Sequence, residues 1–182
     1  LYGSAAGLPF LDLAHSDVVF SFGANLSETW LSPVANGGAF GDMRGGALGK
    51  RGYLVQFEPR LSATAAVADE WLPIAPGTEG LVAQALGQII VEKNLRDAQA
   101  SPYAGLFTTG GVDYAAALSG IPAGKLEQLA ESFAKCERPT AIPGGAIGGN
   151  TNALSSMTAV MALNALVGRA EGSDSAFMLT AP

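Results

Sequence analysis

Three short apolar runs, each stopping at a glycine-rich or charged junction, constrain this chain more than any other feature. Asp17-Val-Val-Phe-Ser-Phe22 ends at Gly23-Ala-Asn25, Gly52-Tyr-Leu-Val-Gln-Phe57 ends at Glu58-Pro-Arg60, and Thr140-Ala-Ile142 breaks into Pro143-Gly-Gly145-Ala-Ile-Gly148-Gly-Asn150. Compact apolar runs bounded by turn residues are the pattern of strands buried on both faces, as in a parallel sheet covered by helices.

The intervening text supplies helices. Pro76-Gly77-Thr78-Glu79 opens the clearest one, with Thr78 placed to cap it and Glu79 at its positive end. Leu81, Ala85, Leu86, Ile89 and Ile90 then repeat at helical spacing to about Lys93. A second helix is expected over Ala123 to Lys135, after Gly120-Ile-Pro122. A third is expected over Asn152 to Val167, whose near lack of charge predicts burial on most sides. Ser62 to Asp69 has room for one or two helical turns, and Trp71-Leu-Pro-Ile74 reads as a strand that Pro73 confines to an edge. Residues 36–52 carry Gly37, Gly38, Gly41, Gly45, Gly46, Gly49 and Gly52, so a loop is expected there, with no more than a short helix near Trp30 to Val34. Residues 94–111 read as an irregular surface excursion. The alternation predicts an α/β fold: a Rossmann-like parallel sheet flanked by helices in three layers, with ligands beyond the strand carboxyl ends.

Length and composition favour one domain over residues 1–182. The chain is 48% hydrophobic and only 14% charged. Ten Lys and Arg against sixteen Asp and Glu give −6 with the basic residues scattered, which argues against nucleic acid. No run approaches the roughly 20 apolar residues that would insert into a membrane. A single cysteine, Cys136, permits neither an internal disulfide nor an iron-sulfur or cysteine-zinc site within the chain. Cys136 reads as a small buried hydrophobe, and His15, the one histidine, as a structural residue. Asp69-Glu70 beside Trp71 reads as a solvated turn against a packed aromatic. The start at Leu1 and the finish at Ala181-Pro182 read as those of a piece cut from a larger multidomain chain, not catalytic alone.

The strand-end junctions are the candidate site. Glycines such as Gly23 and Gly145 admit an anion close to the backbone, Ser27 and Thr29 add hydroxyl donors, and Glu58 after the second strand is placed to accept from ribose hydroxyls. No complete G-x-G-x-x-G follows the first run, which disfavours a plain nicotinamide-dinucleotide site.

Taken in order, Ser16-Asp-Val-Val-Phe-Ser-Phe-Gly-Ala-Asn25, Gly52-Tyr-Leu-Val-Gln-Phe-Glu-Pro-Arg60 and Ala68-Asp-Glu-Trp-Leu-Pro-Ile-Ala-Pro-Gly-Thr-Glu79 resemble the molybdopterin oxidoreductases of the dimethyl sulfoxide reductase family. The resemblance implies a domain binding one molybdopterin guanine dinucleotide, with iron-sulfur clusters elsewhere in the parent chain. It implies as partners the other domains of that chain and iron-sulfur and membrane-anchor subunits, at a periplasmic or membrane-associated location. It places Gly23, Asn25, Ser27 and Thr29 near pyrophosphate, Glu58 and Arg60 near ribose and its neighbours, and Glu79 at guanine, with Glu28, Gly77, Thr78 and Gly145 among the cofactor-binding residues. Glu79 stands where the family usually has an aspartate. Two departures point to a second branch. Leu26-Ser27 and a glycine-rich run stand where the family commonly has a proline soon after the asparagine and a well-formed helix before the second strand, and Glu28-Thr-Trp-Leu-Ser-Pro33 resembles the molybdopterin-like subunits of quinol-oxidising complexes, in which the fold is kept without the cofactor. The resemblance thus leaves two readings, a holder of the guanine arm and a cofactor-free structural domain.

Overall fold

The computed structural model describes residues 9–45, 49–108, 110–170 and 177–179. Residues 1–8, 46–48 of the glycine-rich run, 109, 171–176 and 180–182 lie outside the described residues. The main sheet contains β2 (Val18–Phe22), β3 (Tyr53–Phe57), β4 (Glu70–Leu72) and β5 (Pro139–Pro143) in the order β4-β3-β2-β5, all parallel. The register aligns Phe22 with both Phe57 and Pro143, so three strands end level. A separate antiparallel pair joins β1 (Pro9–Leu11) to β6 (Phe177–Leu179), which the sequence did not announce.

Alternation within the strands sorts side chains into two cores. Phe20, Phe22, Val55 and Phe57 face one side, where Phe22 stacks on Phe57 at 4.6 Å between ring centroids. There they meet α3 (Glu79–Glu92), α5 (Ala123–Lys135) and α6 (Ala153–Leu166), with α4 (Val112–Ser119) packed behind. Val19 and Leu54 point the other way, toward Met43 and Phe40 of α1 (Pro33–Gly45). Helices on both faces give the expected three layers.

The crossover α1 corrects the expectation of a loop. Pro33 suits a first helical position. Four helical glycines, Gly37, Gly38, Gly41 and Gly45, weigh against the helix, but tertiary contacts outweigh them. Met43 is buried, Asn36 Nδ2 donates to the Trp30 carbonyl at 2.8 Å, and Arg44 pairs with Asp69. Asp69 is correspondingly not a solvated turn residue. Its side chain is 9% exposed and accepts from Arg44, from Arg51 at 2.8 Å and from the Leu54 amide at 2.8 Å. Burial alone would raise the Asp69 carboxyl, yet these donors hold it below the usual range.

The short α2 (Ala63–Val67) is capped by Ser62, whose hydroxyl accepts from the Ala65 amide. Thr78 does not cap α3 as expected. Its hydroxyl donates instead to the Ala75 carbonyl at 2.6 Å, tightening the turn before the helix. Residues 95–107 form two short 3-10 segments, and Phe107 from the second fills the space beside Gly87 of α3. At the β5 edge, buried Asn164 of α6 accepts from the Ala141 amide at 2.8 Å and donates to the Ala141 carbonyl at 2.9 Å, replacing the missing neighbour strand. Cys136 is half-buried, and burial pushes its thiol up to about 12, so it stays protonated and inert. His15 Nδ1 lies 2.5 Å from Asp12 Oδ1 in a local pair.

Candidate functional site at the strand carboxyl ends

The sheet changes direction of winding between β2 and β5, the place where such sheets open a ligand crevice. Here the two loops lie directly on each other. Gly144 N donates to the Phe22 carbonyl at 2.8 Å, and a β-carbon on Gly144 would stand 2.0 Å from the Gly23 carbonyl carbon. Gly23, at φ +67°, would similarly bring a β-carbon 3.0 Å from that of Ala146. Gly145 is exposed, its β position 4.0 Å from Trp30 Cδ1.

The loop after β2 folds on a single acceptor. The Asn25 carbonyl receives the amides of Glu28 at 3.0 Å and of Thr29 and Trp30 at 3.1 Å. This turn aims Glu28 across to the loop after β3, where Oε1 accepts from the Ala63 amide at 2.7 Å and Oε2 stands 3.7 Å from Arg60 Nη2. Alongside, the Ser27 amide donates to Thr64 Oγ1 at 3.1 Å. Glu58, 3% exposed, accepts the Ser62 amide at 3.1 Å within its own loop, while its carbonyl accepts from Trp71 Nε1. Beneath them, buried Gln56 holds the Ala24 carbonyl through Nε2 at 3.2 Å.

A second group forms around the start of α3. Gly77, at φ +81°, accepts from Asn152 Nδ2 at 2.9 Å, and Gly80 closes onto Ser156 so tightly that a β-carbon would lie 2.5 Å from its hydroxyl. Glu79 is 2% exposed, and its Oε2 is buried with no hydrogen-bond partner among the described residues. The expected residues are therefore brought to one end of the sheet in two clusters: Gly23, Asn25, Ser27, Glu28, Thr29, Glu58, Arg60 and Gly145 in one, and Gly77, Thr78 and Glu79 in the other. The sequence reading missed Thr64, Asn152 and Ser156. A polar Thr in a five-residue helix and two Asn before an uncharged helix were the available signals.

This arrangement tests the cofactor that the family implies. A pyrophosphate requires several free N–H donors and a net positive surround. The amides of Gly23, Ser27, Glu28, Thr29, Trp30, Ser62 and Ala63 are all bonded within the protein, and Glu28 and Glu58 set two carboxylates against the one guanidinium of Arg60. Those seven amides offer nothing to a phosphate, which counts against one in the first cluster; the amides of Asn25 and Gly145 and the hydroxyls of Ser27 and Thr29 are not among them. Glu79 does fit a donor-rich partner, since its free oxygen can accept from N–H groups. Among the described residues, no group of three or more His, Cys, Asp or Glu is placed to hold a metal, and no helix is long and apolar enough to cross a membrane.

Comparison with known proteins gives the lineage. No protein-family model matches the chain. It is 31% identical over 159 residues to the menaquinone reductase, molybdopterin-binding-like subunit of Nitratidesulfovibrio vulgaris, covering 86% of this chain and 23% of that protein. It is 33% identical over 98 residues to the probable dimethyl sulfoxide reductase chain YnfF of Escherichia coli, 53% of this chain and 12% of that one. Its fold matches acetylene hydratase from Pelobacter acetylenicus with a TM-score of 0.72 at 24% identity, covering 98% of this chain and 25% of that chain. The chain thus spans a quarter or less of the length of these proteins.

Proposed function

This chain belongs to the molybdopterin oxidoreductases of the dimethyl sulfoxide reductase family, and on that premise we propose that it is a structural domain keeping the cofactor-holder fold while its phosphate crevice is closed. Its role is to provide a rigid scaffold within a respiratory electron-transfer subunit. The electrons pass through iron-sulfur clusters elsewhere in the polypeptide, and the remaining domains and partner subunits pack around the scaffold, at a periplasmic or membrane-associated site. The observation that carries this reading is the packing of Gly144 on Gly23 and Ala24 at the point where the sheet would otherwise open. The name of the Nitratidesulfovibrio relative, a molybdopterin-binding-like subunit, accords with it.

One observation favours the second reading, a domain that grips the guanine end of the cofactor: the buried, partnerless Oε2 of Glu79. A carboxylate so placed suits the N–H groups of a guanine edge. The two readings separate in one measurement on the intact polypeptide that carries residues 1–182. Elemental analysis and nucleotide release should find iron but neither stoichiometric molybdenum or tungsten nor guanine nucleotide. Stoichiometric metal together with guanine nucleotide would establish the second reading in place of the first.

A further inference from the structure

We infer that Glu28 latches the loop after β2 onto the loop after β3, an internal carboxylate occupying donors on that side of the strand ends that would otherwise face an anion. The inference rests on the reading above that the neighbouring crevice between β2 and β5 is closed in the native protein. Of the two acids present, only Glu28 reaches from one loop to the other. Glu58 bonds the Ser62 amide within its own loop, whereas Glu28, from the loop after β2, takes the Ala63 amide at 2.7 Å and faces Arg60 at 3.7 Å.

Two features make it a closure rather than an ordinary surface pair. The turn that presents Glu28 is specified by three amides converging on the Asn25 carbonyl, so the carboxylate is aimed instead of sampling solvent. The neighbouring link, from the Ser27 amide to Thr64 Oγ1, ties the same two loops side by side with it. A carboxylate that accepts from an amide and faces a guanidinium makes the interactions a phosphate oxygen would make, in the same charge state. The side chains of Glu28 and Arg60 are 29% and 67% exposed, so the closure lies at the rim and removing it leaves the buried sheet untouched.

The test uses the intact polypeptide as wild type, E28A and E28A/R60A, read by hydrogen exchange and by calorimetric titration with inorganic pyrophosphate. In E28A the Ala63 amide and those of residues 27–30 should exchange at least about tenfold faster, the scale of one lost charge-assisted bond. E28A should also bind pyrophosphate at least about tenfold more tightly than wild type, and R60A should abolish that gain. An E28A protein that neither opens nor gains binding overturns the role of Glu28 while leaving the closed crevice standing, because wild type still binds nothing. Wild type that binds pyrophosphate as tightly as E28A overturns the closed crevice itself. Should E28A fail to fold, E28Q keeps the accepting oxygen and removes the charge. Tighter pyrophosphate binding by E28Q than by wild type supports the inference, and equal binding defeats it.

Discussion

Gly144 rests on Gly23 so closely that a β-carbon on Gly144 would stand 2.0 Å from the Gly23 carbonyl carbon and 2.1 Å from the Ala24 nitrogen. Backbone faces backbone there, and neither side can yield by a rotamer change. Gly144→Ala should therefore cost about 1–3 kcal/mol, as overpacking does. Denaturant unfolding of the two proteins measures it, and equal midpoints would show that the loops are not in contact.

Asn164 provides the hydrogen bonds that a fifth strand would have made. Its side chain satisfies both the N–H and the C=O of Ala141 in a fully buried setting. Asn164→Leu strands both groups without water and should cost about 2–4 kcal/mol, more than the volume change alone implies. Amide exchange at Ala141 should rise in parallel, and a variant as stable as wild type would remove Asn164 from this role.

Asp69 makes stability depend on pH in a defined direction. Its folded carboxyl is lowered by Arg44, the Leu54 amide and Arg51 against the opposing effect of burial, so the charged form is the one bound. A lowered folded value means the stabilisation is present above the unfolded pKa of about 3.9 and disappears as pH falls through the folded value. Asp69→Asn should cost about 3 kcal/mol near neutral pH. The gap between the two proteins should close in strong acid, and a pH-independent gap would contradict the assignment.

Helix α1 persists despite its glycines, not because of them. Among the described residues nothing outside the helix's own backbone lies within 4 Å of a β-carbon at Gly37, Gly38 or Gly41. Each replacement by alanine should stabilise the protein by about 0.5–1 kcal/mol through helix propensity and the smaller entropy of the unfolded chain. Thermal midpoints that fall instead would show that these positions meet something the helix packs against.

The sequence by itself determined the strands of the main sheet, the parallel α/β class and the end of the sheet where polar residues gather. Those depend on local patterns: Val18 to Phe22, Tyr53 to Phe57 and the 3.6-residue stripe from Val82 to Ile90 bury the same faces whatever surrounds them. It also carried the family resemblance, because residues that build turns keep their order in the chain. It could not reveal α1, whose local propensity is poor and whose stability comes from Asp69, 25 residues from Arg44, and from the Trp30 carbonyl held by Asn36. Nor could it say whether the strand-end acids face outward or inward. That was decided by tertiary structure alone, since Glu28 meets Ala63 across 35 residues of chain. A carboxylate offered to a ligand and one spent on a neighbouring amide are identical in sequence, and only the distance between the loops separates them.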